Sequence, residues 1–158
     1  ALAESGVHLK VNRELLLAQT EESFSVARNM DGNIAVIEIF PGISADVLQA
    51  MLGIPGLKGV ILETYGSGNA PSEDWFINAL SDAVSRGVHI VNVTQCAGGS
   101  VIMGQYETST QLQSIGIISG RDITTEAAVA KLMHLLGKGT PSANFKASFE
   151  AAIAGEMS

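Results

Sequence analysis

Three loops of this 158-residue chain collect the residue types that can do chemistry. Gly66-Ser67-Gly68-Asn69 offers open backbone and an amide, Thr94-Gln95-Cys96 offers a hydroxyl, an amide and the only thiol, and Gly120-Arg121-Asp122 offers a guanidinium beside a carboxylate. A glycine-rich turn can cradle a phosphate, but "GSGNAP" lacks the third glycine of a dinucleotide fingerprint and the Lys-Ser/Thr of a P-loop. On pattern alone it reads equally as a ligand cradle or as a turn leading into a helix. A cysteine attacks only as a thiolate, and Cys96 has no His or Lys beside it in the sequence; a helix N-terminus after it is the other way to lower its pKa. As a nucleophile it competes with a plainer role as a small rim or core residue. Tyr106 and Thr108 either reach a ligand or hydrogen-bond on the surface. Glu63 closes an apolar run, so its carboxylate needs a partner, and Arg121 is the candidate. His8, His89 and His134 show no metal spacing, and no metal site is expected.

The elements that must position these residues are four short apolar runs: "IAVIEIF" (34–40), "GVILETY" (59–65), "VHIVNVT" (88–94) and "IGIIS" (115–119). Short near-continuous Ile/Val runs bounded by Gly and Pro read as strands buried on both faces, hence a parallel sheet. Helical patterns lie between them. Ser44 caps a helix with Val47, Leu48, Met51 and Leu52 inward; Ser72 caps another with Phe76, Leu80, Ala83 and Val84 inward, closed by Arg86 and Gly87. Thr124 opens a third with Val129, Leu132, Met133 and Leu136 inward. Pro141 starts the last at its first helical position, with Phe145, Phe149 and Ile153 in one stripe. Gln105–Ser114 is a further, weaker helix. Alternating strands and helices predict an α/β fold of flavodoxin- or Rossmann-like form, a four-stranded parallel sheet flanked by helices on both faces. In such sheets ligands bind beyond the carboxyl ends of the strands, and that is the rim on which all three loops fall. "VHLKV" reads as an edge strand in an N-terminal arm or linker.

Totals exclude several classes. Nine basic residues against sixteen acidic ones leave a net charge of −7, which disfavours nucleic acid and anionic membrane surfaces alike. No apolar run reaches the roughly 18 residues of a membrane span. One cysteine permits no internal disulfide and fits a reducing, cytoplasmic compartment. The opening "ALAESGVHLKV" reads like the interior of a longer polypeptide.

"VIEIFPGIS", "GVILETYGSGNAP", "RGVHIVNVTQCAGGSVIMGQYETS" and "GIISGRDITTEAAVAKLMHLL" together resemble, in order and spacing, the C-terminal domain of cytoplasmic (type I) L-asparaginases. The resemblance runs from Ile34 to about Gly137 and more weakly over both ends; "YGSGNAP" and "NVTQCAGG" are its most telling parts. It implies that residues 1–32 are an interdomain linker and the end of an N-terminal domain, and residues 33–158 the C-terminal domain. It implies hydrolysis of L-asparagine to L-aspartate and ammonia by a whole enzyme whose nucleophilic threonine stands in a Thr-Gly-Gly-Thr motif of the N-terminal domain. That motif does not occur in this chain, and the fragment alone is expected to be inactive.

By the same resemblance, Asn69 reaches the active site of a neighbouring subunit, with Gly68 and Tyr106 beside it. Thr94, Gln95, Cys96 and Arg121 match a second amino-acid site that is regulatory in some cytoplasmic members. Where such members carry an arginine before the Tyr-Gly of this loop, this chain has Glu63, so effector control by asparagine is expected to be weak or absent. The expected partners are the N-terminal domain of the same polypeptide, further copies in a homodimer or homotetramer, and L-asparagine or L-aspartate. No cofactor is implied. Two other functions fit the residues: the asparaginase-like subunit of a glutamyl-tRNA amidotransferase, and a stand-alone small-molecule sensor domain.

Overall fold

The computed structural model describes residues 3–16, 21, 23, 26–104 and 107–158. Strands β1 (Ala3–Ser5) and β2 (Leu9–Val11) pair antiparallel as a small hairpin, followed by a 3-10 turn at Arg13–Leu15. The main body then runs β3 (Ile34–Glu38), α1 (Ala45–Leu52), β4 (Gly59–Thr64), α2 (Asp74–Ser85), β5 (His89–Thr94), α3 (Glu107–Ser114), β6 (Ile118–Ser119), α4 (Thr125–Gly137) and α5 (Ser142–Glu150). β3 to β6 form a four-stranded parallel sheet in sequence order.

Side chains alternate across the sheet, so continuous apolar strands feed two separate cores. Val60, Leu62 and Ile90 face α1, α2 and α3, where Leu48, Leu52, Phe76, Leu80 and Leu112 complete one core. Ile61, Val91 and Val93 face α4 and α5 and pack on Leu132, Leu135, Phe145 and Phe149. The layout is the expected three-layer α/β fold. His89 stacks on Phe145 with ring centroids 3.7 Å apart, and burial holds its imidazole below 6.5, consistent with a packing role.

Local signals hold at several helix ends. The Ser44 and Thr124 hydroxyls accept the backbone N–H of Val47 and Ala127, each satisfying an otherwise orphaned donor. Gly87 follows the α2 C-cap residue Arg86 at φ +90°, the left-handed backbone that a C′ glycine supplies, while Arg86 itself lies just past the last turn, which ends at Ser85.

Elsewhere the structure corrects the sequence reading. α2 begins one residue after Glu73, whose side chain makes no cap bond, so Ser72 lies outside the helix. Pro141 is the residue before α5, and α5 ends at Glu150, leaving Ile153 half exposed beyond it. The fourth run pairs only over Ile118 and Ser119. Glu107 is the first residue of α3; Gln105 and Tyr106 lie outside the described residues. Val47 is exposed. α4 turns a different face inward: Ala128, Lys131, Leu132 and Leu135 are buried, whereas Val129, Met133 and Leu136 are only partly so.

The buried member that sequence patterning misses is Lys131. Its ammonium donates to Glu156 and, at 2.7 Å, to the Ala151 carbonyl, and lies 5.1 Å from the centre of the Phe149 ring. Burial pushes the Glu156 carboxyl up, but Lys131 and the backbone N–H groups of Ala154 and Ile153 outweigh it and hold it at about 2. On the same helix, the Met133 carbonyl accepts the Asp31 N–H, and the Asp31 carboxylate takes Lys58 Nζ at 2.7 Å. A Cβ on Gly137 would run into the Asn29 carbonyl, so α4 accepts the incoming chain only because a glycine stands there.

Candidate functional site

The expected site residues that lie among the described ones stand at the carboxyl ends of β4, β5 and β6. The loop after β4 folds back on itself. Tyr65 and Asn69 exchange two backbone hydrogen bonds of 2.8 Å, and the Gly68 N–H also donates to the Tyr65 carbonyl at 3.0 Å. Gly68 sits at φ +102°, and a Cβ there would lie 2.8 Å from Val101 and 3.3 Å from Asn92 Nδ2. Only glycine satisfies both the backbone angle and the close approach.

Beneath this loop lies a buried polar network. The Thr64 hydroxyl donates to Asn92 Oδ1 at 2.6 Å, and Asn92 Nδ2 donates to the Gly68 carbonyl at 3.2 Å. Both side chains are fully buried. The bonds between them offset the cost of taking both from water and fix the loop to the two central strands. Sequence patterning singles out neither; the available signal is an asparagine in the middle of the apolar run "VHIVNVT".

Asn69 itself is exposed, and its Oδ1 accepts the Thr108 hydroxyl at 2.6 Å. Thr108, on α3, is buried. Of the residues expected around Asn69, Gly68 is adjacent and buried, whereas Tyr106 lies outside the described residues.

The second set is brought to the same rim, with most of its polar groups engaged internally. The Thr94 hydroxyl donates to the Gly66 carbonyl and accepts the Cys96 N–H at 3.0 Å. Gln95 Nε2 donates to the carbonyls of Ile39, at 2.7 Å, and Glu63, at 2.9 Å, stapling the ends of β3, β4 and β5 together. Cys96 is a free, exposed thiol. The expected Glu63–Arg121 ion pair is not formed. Glu63 Oε1 accepts the Thr125 hydroxyl at 2.6 Å in the first turn of α4. Arg121, exposed and held at φ +50°, donates Nη1 to the Ser158 carbonyl at 3.0 Å. The Ser158 N–H, donating to Asp122 Oδ1 at 2.9 Å, holds that carboxyl below the ordinary range, and the Arg121 charge adds to the effect. Among the described residues there is no cluster of His, Cys, Asp and Glu able to hold a metal.

Such a rim can present donors and acceptors to a small polar ligand. A family model for the glutaminase/asparaginase C-terminal domain matches residues 33–149, three quarters of the chain. The chain belongs to this family. L-asparaginase 1 of Escherichia coli K12 is 36% identical over 156 residues, which span 99% of this chain and 46% of that protein. The crystal structure of L-asparaginase I from Vibrio cholerae superposes with a TM-score of 0.89 at 37% identity, covering 99% of this chain and 47% of that one. A glutamyl-tRNA(Gln) amidotransferase subunit of Methanococcus maripaludis is 36% identical over 109 residues, 69% of this chain and 25% of that protein. This asparaginase-type domain thus spans just under half of each of these two asparaginases, over their C-terminal part. Among its described residues no helix is long and apolar enough to cross a membrane.

Proposed function

We propose that this domain is the C-terminal half of an L-asparaginase, in which it presents Asn69 to the active site of a neighbouring copy and contributes to dimer formation. The catalytic threonine, with its activating groups, would stand in an N-terminal domain of the same polypeptide, since the chain holds no Thr-Gly-Gly-Thr motif. The observation that carries this reading is the loop from Tyr65 to Asn69. It is cross-braced by backbone bonds at its neck and by Asn92 beneath it, yet leaves the Asn69 side chain exposed. A rigid loop projecting an amide suits recognition of a charged amino-acid end.

Asn69→Ala in the full-length enzyme tests it. A hydrogen bond to a charged ligand is worth about 1.5–3 kcal/mol, so kcat/KM for asparagine should fall by about 10- to 150-fold. Kinetics unchanged within error would leave the loop a structural turn only.

The amidotransferase relatives support a second reading, an asparaginase-like subunit that releases ammonia for use on tRNA. The net charge of −7 opposes direct RNA contact by this domain. Ammonia release that rises only when charged tRNA is added would select this reading over the first.

A further inference from the structure

The position of Asn69 is over-determined in a way that specifies more than its place. Its backbone N–H and C=O are both bonded to Tyr65, and its Oδ1 to the Thr108 hydroxyl. At 2.6 Å the side-chain contact suits O–H···O and is shorter than the roughly 2.7–3.2 Å of N–H···O bonds, so the amide oxygen, and not its nitrogen, faces Thr108. Thr108 is only 7% exposed, whereas Asn69 is exposed. The group of Asn69 with no partner among the described residues is therefore Nδ2, which only donates.

We infer that Thr108 is a positioning residue: by engaging Asn69 Oδ1 it selects the amide orientation that offers donors alone, and so tunes the loop to a ligand carboxylate. The inference rests on the proposed reading that Asn69 meets substrate. An unanchored amide samples both flips and several rotamers, and one of the flips sets an acceptor against the carboxylate. An anchored amide arrives with that choice already made, which lowers the ordering cost of binding.

The test is steady-state kinetics of the full-length enzyme with L-asparagine and with its α-methyl ester, which lacks the carboxylate charge. Thr108→Val should raise KM for asparagine by about 3–10-fold with kcat within about twofold, as loss of uniform binding does. The ester, which gains less from aligned donors, should be affected by less than about twofold, narrowing the preference for the free acid. Thr108→Ser, which keeps the hydroxyl, should stay close to the parent. Asn69→Ala combined with Thr108→Val should be no worse than Asn69→Ala alone, because the second change acts through the first. If Asn69→Ala raises KM and Thr108→Val does not, this inference fails and the proposed function stands. If Asn69→Ala itself has no effect, the proposed function fails and carries this inference with it. Equal defects in Thr108→Ser and Thr108→Val would also overturn it, by assigning the effect to packing. Thr108→Ala serves in place of the valine variant if the latter does not fold.

Discussion

The Glu63 carboxylate bonds to the Thr125 hydroxyl in the first turn of α4, at 2.6 Å, while Arg121 turns to the Ser158 carbonyl. An anion is stabilised at a helix N-terminus, and here the chain supplies its own. A ligand carboxylate brought to this helix start would meet a side chain of like charge. Asparagine saturation of the full-length enzyme should accordingly be hyperbolic. A clearly sigmoidal curve of initial rate against concentration, flattened by alkylating Cys96, would show that the rim binds an effector in spite of Glu63.

The 158-residue chain alone should not release ammonia from asparagine above a no-protein control. Amide hydrolysis through a threonine nucleophile needs an activated hydroxyl and oxyanion donors, and the Thr-Gly-Gly-Thr motif is missing from this sequence. A coupled ammonia assay on the purified chain checks it.

Replacing Asn92 with Ala should loosen the site from below. It removes the side-chain donor to the Gly68 carbonyl and one of two acceptors of the Thr64 hydroxyl, which keeps the Val93 carbonyl at 3.2 Å. The orphaned Gly68 carbonyl costs about 1–3 kcal/mol, so the melting temperature should fall by several degrees. In the full-length enzyme KM for asparagine should rise as well, through the freed loop. A lower melting temperature with unchanged KM would limit Asn92 to stability.

Lys131 and Glu156 give the domain an acid-sensitive tie. The Glu156 carboxyl lies at about 2 in the folded protein against 4.5 unperturbed. Its folded value is the lower, so its stabilising contribution is full above about pH 4.5 and is lost as pH falls towards 2. Urea midpoints of the parent and of Glu156→Gln should differ at pH 7 and converge below pH 4.5. Lys131→Ala, which strips one partner from a buried pair, should cost about 3–5 kcal/mol at neutral pH.

What sequence can and cannot reveal follows from how far each interaction reaches along the chain. Val60, Ile61 and Leu62 are consecutive and all fully buried, so β4 is visible as an apolar run without any knowledge of its partners. Ser44 and Thr124 act three residues away and are equally legible. The inward face of α4 is not: Lys131 reads as a solvent residue, and the Glu156 that permits its burial stands 25 residues later, beyond any local period. The site divides along the same line. Glycines and an asparagine mark the Tyr65–Asn69 loop in sequence, but its supports, Asn92 at 24 residues from Gly68 and Thr108 at 39 from Asn69, are brought there only by the sheet. Charge alone pairs Glu63 with Arg121, whereas the start of α4 delivers Thr125 to it from 62 residues away.

The clasps on α4 bear on how small a working version of this domain can be made. The recognisable core, residues 33–149, excludes Asn29 and Asp31 at one end and Glu156 and the buried Met157 at the other. A gene trimmed to that core would leave Lys131 an unmatched charge in the interior and uncover the helix where Asn29 lies across Gly137. Fusion partners, purification tags and swapped halves are therefore best joined before Asn29 and after Ser158, at seams that the family signature would place too far inward.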